Sequence, residues 1–332
     1  MPDERTLSAG LVILLTMAIA VAAAFSRGGT GPAALPAPTP AVAPAIALAP
    51  TPTPSPPPAP VAAAASPTAE PAAIEVPGLL PGNRILAFYG HPHDPNMGIV
   101  GEYAPEEVFD RLLDLAADYE AADPSRPVIP AFELIATVAQ RTPGPDGTFV
   151  LVTDTRSLRR YVDYAEAHGA IVILDIQIGR GTVPAEFEKV RSLLERPNVH
   201  LAIDPEFAME EGEIPGETIG SIDASSVRYA QEQLSEIVRA NGLPPKLLIV
   251  HQFEEDMIRN KMTLGPVPGV QLVIDADGYG KPELKIAVFN FLVRDEPVGF
   301  AGLKLFFQQD KPLMTPRDVL ALTPEPDVII YQ

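Results

Sequence analysis

A (β/α)8 barrel is the fold class that residues 82–332 predict, and three observations predict it. Eight short runs rich in apolar and β-branched residues stand at 85–89, 128–137, 171–176, 199–203, 247–250, 270–274, 301–307 and 328–331. Amphipathic stretches with helix caps lie between most of them, and eight strands in about 250 residues is the count of such a barrel. The competing arrangement, a doubly wound open sheet, usually carries a glycine-rich fingerprint after its first strand. Here Tyr89-Gly90-His91-Pro92 stands in that place.

The connecting helices follow in order. Pro105-Glu106-Glu107 opens one with a first-turn proline and two acids, and Val108, Leu112, Leu115 and Tyr119 mark its buried stripe. Residues 158–167 form the next, ending near Gly169. Residues 184–194 bury Phe187, Val190 and Leu194. Asp223 caps a helix with the stripe Val227, Ala230, Leu234 and Val238, which stops at Asn241-Gly242. The apolar stretch 284–293 fits helix or strand by periodicity; Pro282-Glu283 before it favours a helix. Thr315-Pro316 reads as a cap with a first-turn proline.

Ahead of this domain the chain is of another kind. Residues 9–25 are uncharged, with Thr16 the only polar member, and Ala22-Ala23-Ala24 offers small residues for a signal peptidase. Residues 1–27 are therefore expected to be a signal peptide or a membrane anchor. Residues 28–81 read as a disordered Pro/Ala-rich linker; fifteen prolines between 28 and 77 favour extended polyproline conformations and preclude a core. The expected location is the cell membrane, single-pass with the domain outside the cytoplasm, or secreted.

The chain has no cysteine, which excludes disulfides, zinc–thiolate sites and lipidation through cysteine. Its formal charge is −19. Asp3, Glu4, Glu70 and Glu75 against Arg5 and Arg27 leave −2 before residue 77, so −17 belongs to the rest. Such a surface repels phosphate backbones and anionic lipid, so no nucleic-acid partner is expected and membrane contact runs through the N-terminal segment alone.

A barrel's site lies at the C-terminal ends of its strands, and polar residues stand at nearly every one. Tyr89 ends the first strand and His91, His93 and Asp94 follow it. Glu133 lies in the second, Asp175 ends the third, and Asp204 and Glu206 follow the fourth. His251-Gln252 follow the fifth, Asp275 and Asp277 the sixth, and Lys304 lies in the seventh. Side chains alternate along a strand: Asp175 shares a face with Ile171 and Ile173, and His251 with Leu247 and Ile249. A single strand-end Asp is more often a helix cap, Asp277-Gly278 reads as a turn, and Lys304 suits an outward salt bridge as well. Accumulation shifts that balance, because Glu133, Asp175, Asp204, Glu206 and Asp275 would converge on one rim. Clustered carboxylates raise one another's pKa values and are costly unless they serve protons or a cation.

Asp204-Pro205-Glu206 is the most suggestive stretch, two carboxylates two residues apart after a clean strand. With the other strand-end acids it resembles the glycoside-hydrolase-like (β/α)8 barrels of bacterial envelope proteins. The resemblance spans roughly residues 82–332 and is architectural; it departs from sugar-binding barrels in having no tryptophan. It implies glycan hydrolysis or transfer at the envelope, on a glycan or envelope polymer. Glu206 would donate the proton, with Asp204, Glu133 or Asp175 as its partner. His91, His251, Gln252, Asp275, Lys304 and Tyr89 are the expected substrate-binding residues, and no cofactor is required. The alternative is a metal-dependent hydrolase holding a divalent metal through His91, His93, Asp175, Asp204, His251 or Asp275. A non-catalytic binding barrel is the third reading.

Overall fold

The computed structural model describes residues 77–332. The expected signal or anchor and nearly all of the linker lie outside the described residues. Among those described, no helix is long and apolar enough to cross a membrane.

All eight expected strands form: β1 (Arg84–Gly90), β2 (Val128–Ala139), β4 (Ile171–Gly179), β5 (Val199–Ala208), β7 (Lys246–Gln252), β9 (Val270–Ala276), β10 (Phe300–Leu305) and β11 (Val328–Tyr331). Each pairs in parallel with the next, and β11 pairs with β1, which itself pairs with β2. The sheet therefore closes, and the open-sheet alternative falls. Three short strands were not foreseen. β3 (Val150–Val152) extends β2 in antiparallel, while β6 (Ile222–Asp223) and β8 (Ile258–Arg259) pair apart from the barrel.

Strands buried on both faces read as near-continuous apolar runs, as these do. One face of each strand packs outward against the helices through residues such as Leu86, Phe132, Leu174, Leu201 and Val250. The other fills the interior with Ile85, Ala87, Ala131, Ile173, Ala202, Ile249, Val273 and Ile330. The outer ring comprises α1 (Pro105–Ala122), α2 (Thr155–Ala167), α3 (Val183–Leu194), α4 (Ala224–Asn241), α5 (Pro282–Phe289) and α6 (Pro316–Leu320). Their caps follow residue chemistry: Asp154, Thr182 and Asp223 each accept a first-turn N–H, and Gly242 ends α4 in the left-handed region at φ 61°. The ambiguous stretch is helical, α5 running into a π-helical turn at Asn290–Arg294.

The N-terminal end of the barrel is closed by structural contacts. Leu80, assigned by sequence to the linker, is buried there, and Gln271 bonds its backbone N–H and C=O. The buried Arg84 guanidinium meets Asp123 and Glu325, and the Lys246 ammonium donates to the carbonyls of Arg196, Pro197 and Val199.

Candidate active site

All eight barrel strands deliver a polar side chain to the C-terminal end. Strand alternation aims Tyr89, Glu133, Asp175, Asp204, His251, Asp275 and Lys304 inward, each two residues beyond an interior-facing residue of its own strand. Gln332 follows β11. Small interior residues make room for this polar layer. A Cβ on Gly302, which registers with Asp275, would lie 2.9 Å from the Asp275 Cα and 3.0 Å from its Oδ1.

The deepest part is a charged network. His251 Nε2 lies 3.0 Å from Glu133 Oε1, and its Nδ1 lies 2.9 Å from Asp275 Oδ2 and 3.4 Å from Asp277 Oδ2. Lys304 Nζ pairs with Asp277 Oδ2 at 3.0 Å and sits 3.8 Å from the centre of the Tyr89 ring. The Tyr89 hydroxyl donates to Asp175 Oδ2 at 2.9 Å. Asp204 Oδ1 accepts the Glu206 backbone N–H at 3.1 Å. Every one of these side chains is buried.

Six carboxyl groups thus surround one ammonium and one imidazole, and their protonation reflects it. Burial works against a charged His251, but the Glu133 charge and the bonds to Asp275 and Glu133 outweigh it and raise its pKa well above the ordinary value. Burial also works against the Lys304 ammonium, and the surrounding carboxylates, Asp277 foremost, raise it nonetheless. Burial raises Asp175 to about 6 and, with the Asp175 charge, Asp204 to about 7. Glu206 is pushed well above the carboxylate range by burial and by the charges of Asp204 and Asp277. One oxygen each of Glu133, Asp175, Asp275 and Asp277 is buried without a hydrogen-bond partner.

Above this floor opens a cavity of about 860 Å³. Gln177, Asp204, Glu206, Asp277 and Lys304 line it, with aromatic walls from Tyr89, Phe207, Tyr279, Phe306 and Phe307. Glu133, Asp175, His251 and Asp275 do not reach its surface; they form the layer beneath. Phe132 and Phe253 pack into hydrophobic clusters and do not line the cavity.

Two expected binding residues stand apart from this cavity. His91 turns to Thr153 Oγ1 at 3.1 Å, its neighbour His93 to Ser157 Oγ at 2.8 Å, and neither lines the cavity. Gln252 shares the outward face of β7 with Leu248 and Val250, where its amide holds the carbonyls of Glu254 and Glu255. The outward reading of Lys304 also falls, since its ammonium lies inside. Asp277, which carries the local sequence signature of a turn, also faces inward, with its Oδ2 on Lys304 and 3.4 Å from His251 Nδ1. Helix α1 brings Arg111, Asp114 and Asp118 to the cavity, a contribution that reads in sequence as a solvated helix face.

Fold and site together define a closed (β/α)8 barrel with a buried acidic cluster under a cavity at the C-terminal end of the strands. No family model matches the chain, and no curated protein matches it in sequence.

Proposed function

We propose that this barrel hydrolyses or transfers a glycosidic bond. One observation carries the reading: a carboxyl group biased toward its protonated form and a carboxylate held by a lysine line the same cavity. Glu206 is the first, Asp277 with Lys304 the second. Glycoside cleavage needs that division of labour between two carboxyl groups. The bond from the anomeric carbon to the leaving oxygen breaks, and Glu206 transfers its proton to that oxygen. Asp277 supplies the second carboxylate, as nucleophile at the anomeric carbon or as base for the attacking water. Asp204 acts through Glu206, its charge helping to retain the proton. Glu133 and Asp275 hold His251 from either side, and that assembly fixes Asp277 from below. The aromatic walls suit sugar faces.

Glu206→Gln in the full-length protein tests this. Activity on glycans with unactivated leaving groups should fall about 10²–10⁴-fold, the usual worth of general acid catalysis. Aryl glycosides whose leaving groups need no proton should retain most of their rate. Asp277→Asn should lose both. Unchanged turnover of unactivated glycans by Glu206→Gln would remove Glu206 from the mechanism, and no cleavage of any glycan by the parent would sink the proposal.

One observation favours a second reading, a metal-dependent hydrolase. Ligand atoms of His251, Asp275 and Asp277 lie within 4.8 Å of one another, and Glu133 on the far nitrogen of His251 is the partner that metal-bound histidines usually have. The Lys304 ammonium already meets Asp277, which weighs against it. Stoichiometric divalent metal in the purified protein, lost on His251→Ala, would establish this reading in place of the first.

A further inference from the structure

One charged side chain interrupts the apolar stretch 284–293, and the reaction proposed above makes no use of it. Lys285, near the start of α5, is buried, and its ammonium pairs at 3.2 Å with an equally buried carboxylate, Asp310. Ion pairs withdrawn from water contribute little to stability by themselves, because desolvation offsets their attraction. What sets this pair apart is its set of backbone contacts. Asp310 Oδ1 accepts the Gly280 N–H at 2.7 Å and its Oδ2 accepts the Phe306 N–H at 2.9 Å, while the Lys285 ammonium donates to the Gly278 carbonyl. Hydrocarbon side chains of the same volume could fill the space but could not make these bonds.

The backbone groups held in this way flank the aromatic wall of the cavity. Gly278 and Gly280 stand on either side of Tyr279 in the loop after β9, and Phe306 opens the loop after β10; both aromatic residues line the cavity. Their rings meet edge to face with centres 5.8 Å apart, and the Lys285 ammonium lies 5.1 Å from the centre of the Phe306 ring. Asp277, one residue before Gly278, has anchors of its own: its N–H donates to the Gln252 carbonyl at 2.9 Å and its Oδ2 meets Lys304. The pair therefore governs the wall and bypasses the carboxylate.

We infer that Lys285 and Asp310 are positioning residues, which join the loops after β9 and β10 and set Tyr279 and Phe306 at the angle that grips a sugar ring. The sugar as occupant of the wall rests on the glycan reading; the hold on the two rings does not. Neither Lys285 nor Asp310 lines the cavity, so their effect on a substrate passes through the two rings and falls on binding.

The test uses the full-length protein labelled with 3-fluorotyrosine, in which Tyr279→Phe identifies the Tyr279 line among the eight tyrosines. Lys285→Met should shift or split that fluorine resonance while those of Tyr161, Tyr164 and Tyr229, on α2 and α4, hold their places. KM for a glycan that the parent cleaves should rise about five- to tenfold with kcat unchanged, the pattern of lost binding and intact chemistry. Lys285→Met also leaves the Asp310 charge buried alone, so the midpoint of urea unfolding should fall; adding Asp310→Asn removes that charge and should recover much of the fall. One asparagine oxygen cannot accept from both Gly280 and Phe306, so KM and the Tyr279 line should stay displaced in the double variant. That split between stability and placement is one a merely structural pair would not show. Should the single variant fail to fold, the double variant carries both readouts. An unmoved Tyr279 line overturns the inference, as does a KM that recovers together with stability or a loss confined to kcat. A displaced Tyr279 line in a protein whose parent cleaves no glycan would sink the reaction proposed above and leave the hold on the two rings standing.

Discussion

Asp204→Asn probes the electrostatic account of the site at one atom pair. Asp204 is 4% exposed, and burial with the Asp175 charge raises its carboxyl from 3.8 to about 7. In an unfolded chain the same group titrates near ~3.9. The native state therefore binds this proton more tightly than the unfolded state does. The resulting stability is complete below about pH 4 and is lost as pH rises through about 7. Three units at ~1.4 kcal/mol each set an upper bound of about 4 kcal/mol, and sharing of the effect with Asp175 and Glu206 brings the expectation to roughly 2–4 kcal/mol. Asparagine cannot ionise, and its carbonyl can still accept the Glu206 N–H that Asp204 now accepts at 3.1 Å. The variant should therefore be more stable than the parent at pH 8 by that amount and equal to it at pH 4. Urea unfolding at pH 4, 6 and 8 measures the difference. Parallel stability curves for the two proteins would refute the reasoning. In any glycan assay the alkaline limb should also move to lower pH, because the charge that helps Glu206 keep its proton is gone.

Other perturbations separate the parts of the site. Lys304→Met strips Asp277 of its ion pair and should destabilise the protein by about 3–5 kcal/mol; adding Asp277→Asn should restore much of that, read by the same unfolding curves. Tyr89→Phe leaves both Asp175 oxygens without a partner and should cost about 1.5–3 kcal/mol at pH 8, where that carboxyl is ionised. The cost should shrink at pH 4, below its pKa of about 6. Arg84→Met breaks the contacts to Asp123 and Glu325 at the far end of the barrel. It should cost roughly 3–5 kcal/mol in unfolding while leaving kcat/KM for a cleaved substrate unchanged, since the proposed site is at the other end.

How much of this was legible in the sequence depends on the range of the interaction. The barrel was legible because both faces of its strands are buried, so each strand announces itself as an apolar run and each helix as a stripe with a cap. β3 was not, because Val150–Val152 is three residues long with Leu151 and Val152 exposed, too short to show a period. Inward acids were legible by alternation where a strand continues straight, as at Asp175 and His251. Beyond the last ladder pair the rule weakens, and Asp277, next to a glycine, carried the local signature of a turn. The division between a floor of Glu133, Asp175, His251 and Asp275 and a lining of Asp204, Glu206 and Asp277 is a matter of depth. Depth along the barrel axis follows from stagger between strands: Tyr89 registers with Glu133 and Gln177 with Asp204, pairings no single strand encodes. His91 illustrates the converse. Its position after β1 placed it at the rim, but the turn from Gly90, at φ 156° and against the Met97 carbonyl, carries it to Thr153 instead.

The distribution of partners argues for function over mere tolerance of buried acids. At the N-terminal end each buried cation meets several acceptors, Arg84 two carboxylates and Lys246 three carbonyls, with Nε and Nη1 of Arg84 left without partners. At the C-terminal end two basic side chains serve six carboxyls, and four carboxylate oxygens remain buried without partners. Leaving such groups unpaired costs free energy. The cations are also placed unevenly. His251 serves the floor and Lys304 serves Asp277, and Glu206 is biased toward its protonated form by burial and by the charges of Asp204 and Asp277. A proton held beside an ion-paired carboxylate is a stored asymmetry, and the cavity opens where a substrate oxygen would take that proton.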